Sequence, residues 1–160
     1  MLLTISKNQY NKINILYSDK TKNNILSNGF FYRIYFSNNH FTTNGLYILL
    51  NFKNIKIDKY FDKIKCIIDR TINKNITDFI SNVEYDLLMQ SPVKYKTPKF
   101  RIDEQLKQNF IKIFGSHNIL QKDYENLNIL LKISGIWVDE THYGVTFRFF
   151  IQDDLSSCYK

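Results

Sequence analysis

A chain of 160 residues with a formal net charge of +7 is long enough for one domain with a buried core, and its surface must be basic. Every apolar run is far shorter than the roughly 18 residues that cross a bilayer as a helix, which excludes that class of membrane protein. Cys66 and Cys158 have no metal-ligand spacing, which indicates free thiols in a reducing compartment. We therefore expect a cytoplasmic protein, since residues 1–5 are also too short a run for a signal peptide.

The positive charge is concentrated in the first part of the chain. Residues 1–100 contain 15 Lys and Arg against 7 Asp and Glu, whereas residues 101–160 contain 7 against 8. Such an uneven distribution suits a polyanionic partner better than an even scatter of lysines does. The alternative is a solvated basic surface, because the absence of alanine and the many Asn, Ile and Lys residues are also typical of an AT-rich genome.

Runs of β-branched and aromatic residues in the first third of the chain predict strands. Residues 2–5 and 13–17 are short apolar runs, and residues 18–24 form a polar turn or loop. Residues 30–36 and 46–52 are longer runs that each follow an Asn-Gly turn signal. We expect these two to be antiparallel partners in one sheet.

One face of the first long run is typical of nucleic-acid binding. Phe31, Arg33 and Tyr35 alternate with the residues of the other face, so a guanidinium lies between two rings. Such a guanidinium can contact a phosphate while the rings stack on bases. The alternative is that the two rings pack beneath a helix while the arginine reaches water. Tyr47 and Lys53, in and just after the second run, are further candidates for stacking and for phosphate contact.

Two amphipathic segments in the middle of the chain predict helices. Apolar residues recur at steps of three and four over 57–72, with mixed charges on the opposite side, so we interpret that side as a solvated face. Residues 77–89 predict a second helix with Thr77 or Asp78 near its N-terminal cap.

A basic strap follows, in which Pro92 and Pro98 bracket a short extended piece, which is either an edge strand or a strap across the surface. Four cations and two aromatic residues lie close together here, and exposed extended segments of this kind can track a phosphate backbone; the predicted contacts are Lys94, Tyr95, Lys96, Lys99 and Arg101. Residues 102–128 are ambiguous. They suit a helix that Gly115 ends, but a strand could equally begin at Phe110.

The end of the chain predicts a β-hairpin. Residues 129–138 and 143–151 are rich in β-branched and aromatic residues, and the polar segment 139–142 joins them. Lys132 and Arg148 lie on the faces of these strands that we expect to be open. Trp137 shares a face with inward-pointing residues, so it is either a stacking ring or a core residue at the barrel rim.

The sequence contains no pattern that indicates catalysis or a bound cofactor. The three histidines have no zinc spacing, and the glycines are scattered singly rather than grouped in a phosphate-binding loop. Glu84 with Asp86, or Asp139 with Glu140, could hold a magnesium ion for nuclease chemistry. Adjacent carboxylates are more often solvated, and we expect a binding module rather than an enzyme, without cofactor or metal.

The final hairpin also resembles a known family. The Gly135-Ile136-Trp137 segment, a short polar turn and then Tyr143-Gly144-Val145 are similar to the closing strands of OB-fold single-stranded DNA-binding proteins from large eukaryotic DNA viruses and cytoplasmic linear plasmids. The basic strap before the last strand pair is similar too. The resemblance covers about thirty residues, or fifty with the strap, and implies an OB-like barrel and sequence-tolerant binding of single strands during DNA replication. Such proteins often end in a long acidic tail, which this chain lacks.

We therefore expect one α+β domain over residues 1–152, an antiparallel, OB-like, partly closed barrel with one or two packed helices, followed by a short tail over 153–160. The expected partner is single-stranded DNA, with RNA as an alternative ligand, a replication polymerase as a further partner and a homo-oligomer as an option. The alternative function is a self-associating structural or assembly protein of a virus-like element. The residues expected to bind nucleic acid are Phe31, Arg33, Tyr35, Tyr47, Lys53, Lys94, Tyr95, Lys96, Lys99, Arg101, Lys132, Trp137 and Arg148.

Overall fold

The fold is built mainly from strands whose apolar residues alternate. A computed structural model of the protein describes residues 2–61, 63–115 and 122–152. Two short 3₁₀ helices, Lys7–Gln9 and Lys12–Asn14, precede the strands and helices, which are β1 (Ile15–Tyr17), β2 (Thr21–Lys22), β3 (Phe30–Ser37), β4 (Thr42–Asn44), β5 (Leu46–Tyr60), β6 (Lys63–Ile67), α1 (Lys74–Gln90), β7 (Thr97–Lys99), α2 (Arg101–Lys107), β8 (Phe110–Ile113), β9 (Asp123–Val138) and β10 (His142–Ile151).

Five of these strands close into a barrel. Its strand order is β5-β6-β8-β10-β9, and β9 pairs back onto β5. The pairings are antiparallel except between β8 and β10, where a single parallel pair joins Ile113 to Phe149. If the five barrel strands are numbered by their order in the chain, their order around the barrel is 1-2-3-5-4. The predicted α+β, OB-like barrel is confirmed.

The long strand β9 extends the barrel into a wider sheet. Its first part pairs with β5, and its last residues, Gly135 to Val138, pair with β3. The short strands β1, β2 and β4 pair with β3, and β7 runs parallel to the start of β10. Residues 30–36 and 46–52 are strands as predicted, but the prediction that they pair with each other is wrong. Both use the same edge of β9, one after the other.

The predicted helix over 57–72 is wrong, because residues 57–60 end β5 and residues 63–67 form β6, which pairs with β5 as an antiparallel hairpin. Ile64, Cys66 and Ile68 are buried, and the residues between them are exposed. This is the two-residue period of a strand with one buried face. Isoleucine at short spacing fits both periods over so few residues, and its branched side chain favours the strand.

The second predicted helix is confirmed as α1, although it begins earlier than predicted. Its N-terminal cap is Asn73 rather than Thr77 or Asp78. The Asn73 side chain is buried and bonds to the backbone N–H and C=O of Lys53, which ties the start of α1 to β5. Thr77 is buried inside the helix instead. The competing predictions for 102–128 both apply in part, since α2 is followed by strand β8.

The remaining sequence predictions concern the two ends of the chain and the thiols. Residues 13–17 contain β1 as predicted, but of residues 2–5 only Ile5 pairs, in an isolated bridge to Ile48. Cys66 is a free thiol in the core, and burial raises its pKa to about 12. Cys158 and the predicted tail over 153–160 lie outside the described residues. Among the helices that the structure describes, none is long and apolar enough to cross a membrane.

Candidate nucleic-acid interface

A bulge in β9 decides which side chains face outward. Thr146 of β10 pairs with Gly135 and Phe147 pairs with Ile133, so Ser134 is an extra residue on β9. An extra residue reverses the alternation of the strand beyond it. Consequently Ile136 is buried and Trp137 is only partly buried, on the outer face. Trp137 therefore lies outside the core that its sequence neighbours suggested.

Side chains on the outer face lie in rows, each made of cross-strand partners on neighbouring strands. The first row contains two aromatic rings. Phe31 of β3 and Gly144 of β10 are the two cross-strand partners of Trp137. Gly144 is required for this packing, since a Cβ there would lie 2.7 Å from Cζ2 of the indole. Gly135 accepts the ring of Phe31 in the same way, with a Cβ 2.4 Å from Cζ. The two glycines leave the space that both rings occupy against the sheet.

Replacing Gly144 by Ala should displace the indole without unfolding the domain. We expect a loss of about 1 to 2 kcal/mol in the free energy of unfolding, because the added methyl group overpacks the site. The emission maximum of Trp137, the single tryptophan, should shift to longer wavelength as the ring moves into water. Denaturant titration and fluorescence measure the two effects. An unchanged emission spectrum would contradict the described packing.

The next two rows of the outer face carry cations. Arg33 of β3, Gly135 of β9 and Thr146 of β10 form the second row, and the Arg33 guanidinium is exposed. In the third row, Lys132 of β9 lies between its two cross-strand partners, Tyr47 of β5 and Arg148 of β10. Its ammonium is 5.4 Å from the ring centroid of Tyr47, and Arg148 on the other side packs 4.0 Å from the ring of Phe114.

Two cations of the predicted strap complete this surface. Lys99 of β7 pairs with Gly144, directly beside the Trp137 row. Arg101, the first residue of α2, places its guanidinium 5.4 Å from the centroid of the Trp137 ring. We call the combined surface the cationic face, and its members are Phe31, Arg33, Tyr47, Lys99, Arg101, Lys132, Trp137 and Arg148.

A groove continues from the cationic face towards the second and third strands of the barrel. Lys99 and Arg101 form one side of a cavity of about 340 Å³, and Phe110 and Lys112 of β8 form another. Lys65 of β6 then lies 4.9 Å from the centroid of the Phe110 ring. One carboxylate, that of Glu104, also lines the groove. We call this cavity, together with Lys65, the β8 groove.

Lys65, Phe110 and Lys112 of the β8 groove were not among the predicted site residues, whereas Lys99 and Arg101 were. Lys65 was assigned to the solvated side of a helix that does not exist, and Phe110 and Lys112 lay in the ambiguous segment. The alternation of Lys63 and Lys65 with Ile64 and Cys66 was the signal that could have placed these lysines on the open face of a strand.

The other predicted site residues lie apart from the cationic face or have structural partners. Lys96 donates two hydrogen bonds of 2.7 Å to the carbonyls of Asp139 and Glu140, which leaves one ammonium proton for a phosphate. Lys94 and Tyr95 are exposed on the strap, and the Tyr95 side chain is fully accessible. Lys53 is exposed on β5, and Tyr35 is partly buried on β3 beyond Arg33.

The carboxylates considered for magnesium serve other roles. Both oxygens of the buried Glu84 accept backbone N–H groups, and Asp86 lies beside Tyr10 and Lys12. Asp139 accepts the backbone N–H groups of Thr141 and His142, and these bonds hold its pKa below the usual range. Over residues 2–61, 63–115 and 122–152, no group of three or more His, Cys, Asp or Glu side chains is arranged to hold a metal ion.

The cationic face and the β8 groove together form one open surface of rings and cations on the outside of the barrel. Such a surface can hold a flexible anionic chain by contacts with its charged backbone and with its flat groups. Comparison of the chain with known protein families, with curated proteins and with solved structures finds no match.

Proposed function

We propose that the protein binds single-stranded DNA with little sequence preference, through the cationic face and the β8 groove. The observation that carries the proposal is the convergence of separate segments on one surface. Eight side chains that the sequence singled out come from β3, β5, the strap, β9 and β10, and they occupy adjoining positions. The proposed role is binding without catalysis, during DNA replication.

The arrangement suits a single strand better than a duplex. Rings that lie against a sheet can stack only on bases that are unpaired, and each stacked base contributes about 1–3 kcal/mol. Phe31 and Phe110 would supply rings of this kind. Trp137 is covered by the Arg101 guanidinium, so a base would stack on the guanidinium plane or take its place on the indole.

The cations would contact the phosphates between the stacked bases. Arg33 and Arg148 are exposed, Lys132 is partly exposed, and Lys65 and Lys112 extend the same function into the β8 groove. Each phosphate contact on a single strand adds about 0.7 to the slope of log affinity against log salt concentration. Binding should therefore be strongly sensitive to salt.

A fluorescence titration tests the proposal. The protein is titrated with a poly-thymidine oligomer, with a poly-uridine oligomer and with a duplex of equal length, at two salt concentrations. We expect tight binding to the thymidine strand, at least about tenfold weaker binding to the duplex, and a steep loss of affinity at high salt. Quenching of Trp137 would place the bases at the first row.

Two outcomes would contradict this function. Equal, weak binding to all three ligands would mean that the basic surface is merely solvated. Strong preference for the duplex would mean that the rings are not used for stacking. Preference for the uridine strand would instead assign the surface to RNA.

A second candidate function is self-association in an assembly. Tyr60 and Phe61, at the turn of the β5–β6 hairpin, are 69% and 79% exposed, and their rings meet edge to face at 4.5 Å. Exposed paired rings on a protruding turn can insert between copies of a chain. Light scattering at high salt tests this candidate, because association through the rings would persist where electrostatic contacts are screened.

A further inference from the structure

The carboxylate of Glu84 lies at the start of α2. Glu84 is on α1 and is fully buried. Its Oε1 accepts the backbone N–H of Ile102 at 3.0 Å, and its Oε2 accepts that of Asp103 at 2.9 Å. These two N–H groups belong to the first turn of α2, where no partner exists within the helix.

This contact replaces the ordinary cap of α2. The N-terminal cap position is Phe100, and its side chain makes no capping hydrogen bond. The start of the helix is therefore held by a residue of another helix, through two bonds to consecutive amides. Because Arg101 immediately precedes these amides, the same bonds fix the backbone from which its guanidinium reaches Trp137.

We propose that Glu84 is a positioning residue for the cationic face, and that it acts by keeping Arg101 over Trp137. Its role in DNA binding rests on the proposed function, whereas its hold on Arg101 can be measured in the free protein. The carboxylate touches no ligand itself. It connects the packed interface of α1 and α2 to the open surface.

The cost of burying this carboxyl group supports a specific role. Desolvation, together with the charges of Asp103 and Glu104 on α2, raises the pKa of Glu84 to about 7, against the opposing effect of the two backbone hydrogen bonds. Lys107 and Ser81 engage Asp103. A serine or aspartate at position 100 would cap the helix without burying a carboxylate. What the buried group adds is a rigid link between two helices.

Replacing Glu84 by Gln is the first test. Only the amide oxygen can still accept an N–H, and the amide NH₂ group repels the second one, so the first turn of α2 should shift. In the free protein at about pH 8, where Glu84 is ionised, we expect Glu84→Gln and Arg101→Gln to change Trp137 emission alike, and the double variant to add nothing. A change with Arg101→Gln but none with Glu84→Gln would overturn the proposal.

The same cycle is then measured with the thymidine oligomer. Each single variant should lose about tenfold in affinity, lower the salt slope by about 0.7 and leave the double variant no weaker than Arg101→Gln alone. Fully additive losses would mean that Glu84 does not act through Arg101. If the wild-type protein does not bind DNA, the proposed function fails, and the emission cycle still decides the link to Arg101.

A matched control and a measurement without a Glu84 variant complete the design. Asp78→Asn removes an exposed carboxylate from the same helix and should change neither emission nor affinity.

If Glu84→Gln does not fold, proton titration of the otherwise native chain is followed by NMR in a His142→Gln background, which removes the nearby imidazole. The Ile102 and Asp103 amides and the Trp137 indole N–H should titrate together. An indole signal that does not follow the amides would overturn the proposal.

Discussion

Reversing the charges of Lys99 in β7 and of Arg101 at the start of α2, with Lys99→Glu and Arg101→Glu, should lower single-strand affinity about a hundredfold at low salt. Each change removes an attraction to phosphate and introduces a repulsion at the junction of the cationic face and the β8 groove. The fold should tolerate the change, because Lys99 is partly exposed and a carboxylate at position 101 is favourable in the first turn of a helix. Fluorescence anisotropy of a labelled thymidine oligomer measures the loss.

A second charge reversal of equal size provides the control. Lys12, in the second 3₁₀ helix, and Lys74, the first residue of α1, are both exposed and form ion pairs with Asp86 and Asp78 of α1. The pair Lys12→Glu and Lys74→Glu changes the net charge by the same amount but lies outside the proposed surface. It should cost affinity only slightly. Equal losses in the two double variants would show that net charge alone governs binding, and the proposed surface would be wrong.

The final hairpin could be predicted from sequence because its signals are local. A polar turn between two runs of β-branched and aromatic residues is enough to identify a hairpin. The position of Trp137 could not be predicted, because it depends on the bulge at Ser134. One extra residue reverses the alternation of the strand beyond it, and a serine in a strand does not by itself indicate a bulge.

The β5–β6 hairpin was missed, and a helix over 57–72 predicted in its place, because two periods fit the same few residues. Ile57, Ile64 and Ile68 satisfy the three- and four-residue steps of a helix, and the last two also satisfy the two-residue period of a strand. Pairing decides between these structures. Lys65 pairs with Asp58 on β5 and with Lys112 on β8, and the second pairing joins it to a distant segment whose structure the sequence left ambiguous.

In the candidate site, too, the residue types could be predicted from the sequence but their arrangement could not. Residue types identified every member of the cationic face, because arginine and lysine beside rings are recognisable in any strand. The common position of these residues is a property of the register. Phe31, Trp137 and Gly144 become neighbours only because β9 pairs with β3 on one side and β10 on the other. The link from Glu84 to Arg101 could not be predicted either, because it depends on how α1 packs against α2.

Raising the pH from about 5 to about 8 should destabilise the domain by about 3 kcal/mol through Glu84. Its pKa in the folded state is about 7, because burial disfavours the charged form, whereas its ordinary value is 4.5. Folding therefore binds a proton between these two values, so the contribution is complete below the lower one and is lost as pH rises through about 7. Each pKa unit corresponds to 1.36 kcal/mol.

The other shifted carboxyl groups act in a different pH range. Although partial burial opposes it, hydrogen bonds from Lys107 and Ser81 keep the pKa of Asp103 below its usual value, and backbone N–H groups do the same for Asp139. A lowered pKa stabilises the fold above the unfolded value and is lost in acid. Their effects therefore fall below about pH 4, and the slope between pH 5 and 8 reports mainly on Glu84.

Urea denaturation at a series of pH values measures this slope in the native chain and in Glu84→Gln. The variant cannot ionise at position 84, so its stability should be nearly constant from pH 5 to 8, while that of the native chain falls. Parallel curves would show that Glu84 is charged throughout and that its two backbone hydrogen bonds outweigh the cost of burial. Because the same carboxyl group holds the start of α2, the pH at which stability falls should also be the pH at which the Arg101–Trp137 contact changes.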